Sequence, residues 1–159
     1  MSNERFIKQA KAKAAKYCSL KERAPFQVME KLMGWDLDED LAQSILAELT
    51  AENYVNEERF VRAYCHDKFE FNKWGKQRIR QELGRLRVSD DMIQVGLNYL
   101  DPERYEGILI GLAAKKFDSL RTEQDPWKRK QKTTAYLLRK GFEMDLSIEI
   151  VNQLSERQQ

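Results

Sequence analysis

The sequence predicts an all-α protein in which three tandem three-helix repeats form an elongated, curved array. The composition favours helices, because 7 Gly and 3 Pro among 159 residues are too few for a loop-rich all-β fold and strong helix formers dominate the rest. A unit of about 50 residues buries too little apolar surface to be stable alone, so each repeat is expected to pack against its neighbours. We place the repeats at residues 1–55, 56–101 and 102–159.

The second observation behind this fold is an internal repeat. Three windows, Gln27–Leu49, Arg78–Leu100 and Lys132–Leu154, align without a gap at offsets of 51 and 54 residues. Each window predicts a helix, a short turn and a second helix. Apolar residues coincide at five positions, which we expect to form the core: Leu32, Leu83 and Leu137; Leu37, Val88 and Phe142; Leu41, Met92 and Leu146; Leu46, Leu97 and Val151; Leu49, Leu100 and Leu154.

The third observation is a longer amphipathic segment before each window, which supplies the first helix of each repeat. In the second repeat this helix begins after Asn56, a capping residue that two glutamates follow. In the third repeat, Asp101 and Pro102 give a helix start with a cap and a proline at the first helical position. The three segments lie at about residues 4–18, 57–70 and 103–118.

Local signals also place the helices inside the windows. Ser89 predicts the N-cap of the last helix of the second repeat, and Asp90 and Asp91 after it suit the positive end of a helix dipole. Asp125 and Pro126 repeat the Asp-Pro start signal before the third window. Gly75 and Gly141 are expected in turns.

The sequence also lacks the features of several protein classes. It has no run of about 18 or more apolar residues, so no membrane-spanning helix is predicted. The N-terminus leads into a charged amphipathic segment without an apolar signal region. Its 2 cysteines cannot form a disulfide framework. We therefore predict a cytoplasmic protein that does not associate with a membrane.

No constellation of catalytic or metal-binding residues is present in the sequence. The only histidine, His66, lies between Cys65 and Asp67 without further ligands at a useful spacing. Cys18 and Cys65 each follow a tyrosine at equivalent places in their repeats, which favours a packing role. No glycine-rich phosphate loop and no candidate acid–base pair is found. We predict no enzymatic activity, no metal and no cofactor.

The net charge of +2 conceals a segregated charge pattern. Basic blocks occupy residues 5–17, 68–88 and 127–142, and acidic runs lie between them. Alternating blocks suit a surface that binds charged macromolecules. Charged residues on solvated helix faces would give the same pattern, so both interpretations stay open.

Two basic triplets, Lys76-Gln77-Arg78 and Lys130-Gln131-Lys132, share one register in the second and third repeats. We expect them at matching helix starts, where cations oppose the helix dipole and are kept for a partner. Trp74 and Trp127 adjoin the triplets; each either stacks on a base or anchors a protein contact, or caps a small core at a repeat junction. The candidate partner- or DNA-binding residues are Lys73, Trp74, Lys76, Arg78, Arg80, Arg85, Arg87, Trp127, Lys128, Arg129, Lys130, Lys132, Arg139 and Lys140.

Three stretches of the chain, taken in order, resemble the RecX family. They are Asn53–Phe60 (NYVNEERF), Lys73–Leu83 (KWGKQRIRQEL) and Tyr136–Phe142 (YLLRKGF). Members of that family carry "GYL(D/N)D-x-RF", then "KG-x-x-RI-x-x-EL", then a late "FL-x-x-RG(F/Y)". The order and the spacing together are specific, and the resemblance extends over nearly the whole chain, including the threefold three-helix plan.

The resemblance implies a cytoplasmic regulator of the RecA recombinase, in DNA repair, DNA recombination and the SOS response. Such a protein binds within the groove of the RecA–DNA filament and suppresses filament extension, ATP hydrolysis and strand exchange; we expect it to be a monomer. A second hypothesis stays open, because three-helix units with basic helices also bind single- or double-stranded DNA directly. The two hypotheses differ in what loss of the basic residues does to DNA binding and to RecA inhibition.

Overall fold

The computed structural model describes residues 2–157, and all regular secondary structure in this range is helical. The predicted all-α class is therefore confirmed. No helix of the described range is long and apolar enough to cross a lipid bilayer. The nine helices in this range are α1 (Ser2–Leu20), α2 (Pro25–Gly34), α3 (Glu39–Ala51), α4 (Glu57–Glu70), α5 (Lys76–Arg85), α6 (Asp90–Asn98), α7 (Pro102–Ser119), α8 (Pro126–Lys140) and α9 (Met144–Arg157).

The chain forms two compact units, and its middle helices contribute to both. The first unit comprises the residues up to Tyr64 together with Leu83–Gly96. The second comprises Cys65–Glu82 together with the residues from Leu97 onward. The division of the sequence into three repeat domains and the elongated, curved shape stay predictions.

In the first unit, α1, α2 and α3 pack against one another around an apolar core. Helix α1 contributes the small residues Ala10, Ala14 and Cys18, which recur every four residues and therefore lie on one face. Asp38 caps α3, since its carboxylate accepts a hydrogen bond from the Leu41 N–H at 2.8 Å. The other buried members of this core are Val28, Leu32, Leu37, Ala42, Ile45, Leu49 and Val55.

The stretch from Asn53 to Phe60 contains the turn before α4 and the first turn of that helix, both in the first unit. Asn56 is the N-cap, because its side-chain oxygen accepts the N–H of Arg59 at 2.8 Å. The Arg59 guanidinium donates to the Asn53 carbonyl at 3.0 Å and forms an ion pair with Glu22. The polar residues of this RecX-like stretch thus satisfy backbone groups at a helix start.

In the second unit, α7, α8 and α9 pack together. Three aromatic side chains lie at its centre: Phe69 stacks on Tyr105 with ring centroids 5.6 Å apart, and Tyr105 meets Phe142 at 5.4 Å. All three are buried. The turn before α5 and the turn before α9 are therefore held to the same aromatic cluster.

The predicted helix caps are confirmed. The side chains of Ser89, Asp101 and Asp125 accept backbone N–H groups of α6, α7 and α8 at 3.3, 2.8 and 3.0 Å. Pro102 and Pro126 occupy the first positions of α7 and α8, where the missing N–H removes no helical hydrogen bond. These short-range signals fixed the helix starts correctly.

A shared turn conformation gives backbone evidence for the repeat. Asp36, Arg87 and Gly141 occupy one position of the alignment, in the turn that follows the second helix of each repeat. Their φ angles are 64°, 61° and 100°, all in the left-handed region that ends helices. The N–H of each donates to the carbonyl three residues earlier, at 3.0 to 3.1 Å. The three copies therefore agree in backbone geometry as well as in sequence.

One of the five predicted core positions is wrong. Leu41 is exposed rather than buried. In the last helix of each repeat, the side chain that points into the core is the one directly after the aligned apolar residue. The third copy has a serine at this next position, so the sequence pattern did not reveal it. The residues buried at that next position are Ala42, Ile93 and Ser147. The half-buried members of the predicted core are Leu46, Met92, Leu146 and Leu154.

Replacing Ser147 by alanine is expected to raise the free energy of unfolding by about 1 kcal/mol. Ser147 is fully buried, and its hydroxyl has no hydrogen-bond partner among the described residues. A buried hydroxyl without a partner loses its hydration without compensation. Urea denaturation would measure the change, with Ser155→Ala on the same helix as the control for helix propensity. A destabilised Ser147→Ala variant would contradict this account.

Candidate partner interface

Two cations lie over one indole in the second unit, and two further lysines lie near one of these cations. The guanidinium of Arg78 lies over the Trp74 ring, 4.2 Å from its centroid, and the Lys68 ammonium lies 5.0 Å away. Lys73 and Lys140 complete the group. We call these five residues the Trp74 cluster. Cation–π contacts from Arg78 and Lys68 stabilise the half-buried indole.

The turn between α4 and α5 positions the cluster. Lys73 adopts a left-handed backbone, with φ at 58°, and its ammonium donates to the Glu70 carbonyl at 2.6 Å. The Lys140 ammonium, at the end of α8, donates to the Asn72 carbonyl at 2.8 Å. Both ammonium groups are thereby held by backbone carbonyls at the turn that contains Trp74.

Two glycines bring the turn of the second repeat against that of the third. Gly75 donates its N–H to the Lys140 carbonyl at 2.8 Å, and Gln77 donates its N–H to the Gly141 carbonyl at 2.9 Å. A Cβ on Gly75 would overlap the backbone of Gly141 and Phe142. The close approach of two backbones therefore requires glycine, and it brings Lys140 to the Trp74 cluster.

Three cations of the cluster, Lys73, Arg78 and Lys140, lie close enough to repel one another. Burial lowers the pKa of the Lys140 ammonium, and the neighbouring charges of Arg78 and Lys73 lower it further. Glu70, the last residue of α4, accepts hydrogen bonds from the Arg104 guanidinium on its two carboxylate oxygens at 3.0 and 2.8 Å, and its charge also attracts Lys73. An anionic group from a partner would relieve the repulsion that the fold leaves in place.

Sequence reasoning missed two residues of this region. Lys68 makes the second cation–π contact with the Trp74 indole, beside that of Arg78. Phe71 is 76% exposed at the tip of the turn, with His66 edge-on to it at 6.3 Å between ring centroids. A large aromatic residue directly after the last position of α4 was the available signal, since it falls outside the apolar stripe of the helix.

Lys76 lies apart from the Trp74 cluster, although the sequence grouped it with Arg78. Its ammonium lies over the Tyr105 ring, 4.8 Å from the centroid. Its backbone N–H donates to the Tyr105 hydroxyl at 3.0 Å, and that hydroxyl donates to Glu143. Burial, followed by the Glu143 hydrogen bond, raises the pKa of Tyr105. Lys76 therefore belongs to a network that holds α5 to α7 and α9.

The basic triplet of the third repeat does not lie at a helix start. Helix α8 begins at Pro126, so Lys130 and Lys132 lie beyond its first residues, whereas Lys76 is the first residue of α5. The prediction of matching cationic helix starts is therefore wrong for the third repeat. In the third repeat Asp125 caps the helix, so the residues from Pro126 to Arg129 are already helical before the triplet begins.

The remaining candidates of the third repeat have different environments. The Arg129 guanidinium donates twice to the Phe117 carbonyl, at 2.9 and 2.7 Å, and thereby caps the end of α7. Lys132 forms an ion pair with Glu123 at 2.9 Å. Trp127 is 63% exposed, so it caps no core. Lys128 and Arg139 are exposed, and Lys130 is half-buried.

The other three candidates lie on α5 and in the turn after it. Arg80 is half-buried and belongs to the second unit, whereas Arg85 and Arg87 are exposed and belong to the first. The Arg87 guanidinium lies over the Phe26 ring at 5.6 Å. The Trp74 cluster therefore brings together four of the predicted residues, Lys73, Trp74, Arg78 and Lys140, and adds Lys68.

The described residues contain no group of three or more His, Cys, Asp or Glu side chains that could hold a metal ion. Cys18 and Cys65 are free and buried. Burial raises the pKa of both thiols, and that of Cys65 to about 12, which disfavours the reactive thiolate. Their environment is that of packing residues.

Comparison with known proteins identifies relatives of the chain. Models of the second and third three-helix domains of RecX match residues 56–97 and 105–151. A regulatory protein RecX of Haemophilus influenzae (strain PittEE) is 31% identical over 136 residues, which cover 85% of this chain and 88% of that protein. A regulatory protein RecX of Clostridium perfringens (strain 13 / Type A) is 29% identical over 133 residues, and the match spans 62% of its length.

The fold is also that of a solved structure. The crystal structure of RecX from Lactobacillus salivarius superposes with a TM-score of 0.86 at 20% sequence identity, and the match covers 98% of this chain and 99% of that one. Together with nine helices and no strand in residues 2–157, this establishes an all-α helical repeat fold. By domain models, sequence identity and fold, the chain belongs to the RecX family of regulatory proteins.

Proposed function

We propose that the chain inhibits a RecA recombinase by binding, as a monomer, in the groove of the RecA–DNA filament. There it suppresses filament extension, ATP hydrolysis and strand exchange, in the cytoplasm and in the service of DNA repair, recombination and the SOS response. The observation that carries this proposal is the kinship with proteins named regulatory protein RecX, at 31% identity over 85% of the chain. The proposed regulator has no cofactor and acts by binding alone.

The Trp74 cluster supports this mode of action. Its cations repel one another, and an anionic surface on a partner relieves that repulsion. A filament repeats the same surface at every protomer, so several modest contacts add up through effective concentration without one deep pocket. Inhibition by occupancy of a groove requires no reacting group, which agrees with the buried, unreactive cysteines.

Direct DNA binding is the second candidate function. It is favoured by the exposed Phe71, which lies in the same turn of the chain as Lys73. Aromatic side chains next to lysine and arginine are typical of proteins that stack bases and hold phosphates of single-stranded DNA. In this alternative the chain acts on single- or double-stranded DNA, and any effect on RecA follows from competition for DNA.

Titration of the full chain into RecA assembled on single-stranded DNA tests the proposal. ATP hydrolysis is expected to fall in a saturable manner as the chain is added, because bound chain blocks the groove. Fluorescence anisotropy of the same labelled DNA without RecA measures direct DNA binding in parallel. Undiminished ATP hydrolysis at a large excess of chain contradicts the proposal. Inhibition that only follows DNA occupancy, and vanishes when DNA is in excess, favours the alternative.

A further inference from the structure

An open groove of about 650 Å³ runs between α8 and α9 in the second unit. Its floor is apolar and consists of Ala135, Leu138 and Ile148. Trp127 stands at one end and is 63% exposed, and Ile148 is 43% exposed. We call this feature the α8–α9 groove. It contains Trp127, the candidate indole that covers no core.

The dimensions of the groove match a helix. Its wall on α8 extends from Trp127 to Leu138, about 16 Å along the axis at the helical rise of 1.5 Å per residue. Asn152, one turn after Ile148 on α9, lines the opposite side. The α8 side is long enough for about three turns of a third helix, whose apolar face would pack across to Ile148.

The apolar floor is not a requirement of the repeat fold. The alignment of the three copies relates Ala135 and Ile148 to positions in the first and second repeats that face solvent. Those copies form the same helices with polar side chains there, so the fold alone does not explain the apolar residues of the third copy. Ala135 corresponds to Glu30 and Gln81, and Ile148 corresponds to Gln43 and Gln94.

The charge around the groove selects the partner. Lys130 and Lys132 line it, and none of the described residues in its lining is acidic. Lys132 also pairs with Glu123 at 2.9 Å. An aliphatic floor favours leucine-like side chains over nucleobases, and lysines at the edge favour carboxylates. We propose that the α8–α9 groove binds an acidic amphipathic helix of a partner protein.

In this arrangement the apolar face of the partner helix lies on Ala135, Leu138 and Ile148. Trp127 packs against one end of that face, and tryptophan is enriched among the residues that contribute most to protein binding. Carboxylates on the flank of the partner helix approach Lys130 and Lys132. The inference concerns a site distinct from the Trp74 cluster and does not depend on binding to RecA.

A synthetic peptide tests this site directly. The probe is a fluorescent, alanine-rich helix of about 16 residues with leucines at i, i+4 and i+7 and glutamates beside them. Anisotropy with the full chain is expected to show saturable binding that Ile148→Asp weakens by about tenfold or more. Ile110→Asp is the matched control, since Ile110 is 39% exposed on α7 outside the groove and its loss is expected to change binding by less than about twofold.

A second variant tests the charge. Lys130→Glu is expected to weaken binding of the acidic peptide and to strengthen binding of the same peptide with lysines in place of glutamates. Circular dichroism would verify that each variant is folded. Absence of binding to the wild-type chain, or equal loss in Ile110→Asp, overturns the proposal. Oligothymidylate binding, or concentration-dependent self-association, that Ile148→Asp abolishes would overturn it in favour of a nucleic acid or a second copy.

Discussion

Gly75→Ala is expected to lower the free energy of unfolding by about 3 kcal/mol, at the upper end of the cost of overpacking. The added Cβ overlaps the backbone of Gly141 and Phe142. Backbone atoms cannot rotate away as a flexible side chain would, so the two turns must separate. Their separation breaks the hydrogen bond from the Gly75 N–H to the Lys140 carbonyl. Urea denaturation followed by helical circular dichroism would measure the loss.

Gly111→Ala is the matched control for this prediction. Gly111 lies within α7, and a Cβ there meets nothing within 4 Å. Alanine is favoured over glycine in a helix interior by up to about 1 kcal/mol, so this variant is expected to gain stability. Opposite signs for two identical substitutions would locate the effect in the contact between the turns. An unchanged denaturation midpoint for Gly75→Ala would show that the turns do not touch.

Neutralising the Trp74 cluster is expected to cause the largest loss of function. In the variant Lys73→Gln, Arg78→Gln, Lys140→Gln, each side chain keeps a hydrogen-bond donor and loses its charge. Affinity for the RecA–DNA filament is expected to fall by about tenfold or more, because charge-assisted contacts to the partner are lost. If the cations contact single-stranded DNA, the slope of log affinity against log salt also falls by about 2. Inhibition of ATP hydrolysis and DNA anisotropy, both at several salt concentrations, are the measurements.

The control replaces three exposed lysines outside the cluster, Lys8, Lys16 and Lys115, by glutamine. It removes the same net charge, so it separates the cluster from the overall field of the protein. Inhibition that survives in the cluster variant while DNA binding disappears assigns the cluster to DNA and the inhibition to other surfaces. Loss of both in parallel favours direct DNA binding as the primary activity. Equal behaviour of the two variants would contradict the assignment of the interface to the Trp74 cluster.

The helix starts could be predicted because their causes are local. Ser89, Asp101 and Asp125 each bond a backbone N–H within three residues, so the sequence beside the cap contains the whole interaction. The repeat could also be predicted, because apolar residues coincide when the three copies are aligned. The aligned leucines Leu32, Leu83 and Leu137 are all fully buried in the structure. The buried alignment position of Ala42, Ile93 and Ser147 could not be predicted, because the serine of the third copy interrupts the apolar pattern.

The composition of the site could be predicted only in part. Lys76 and Arg78 form one basic triplet in the sequence, but residues two apart on a helix face different directions. One therefore contacts Tyr105 and the other Trp74. Arg129 caps a helix through the Phe117 carbonyl, twelve positions earlier in the chain, and no count of charges reveals such a long-range acceptor.

The backbone hydrogen bonds between the two glycine turns also bear on how the protein is made. As the chain leaves the ribosome, the amides of Gly75 and Gln77 emerge long before their acceptors, the carbonyls of Lys140 and Gly141. Until α8 and Gly141 have been synthesised, these amides can donate hydrogen bonds only to water or to other parts of the nascent chain. A nascent chain therefore reaches its native pairing late, and a product truncated before residue 140 would present the unpaired amides of this turn to proteases and chaperones.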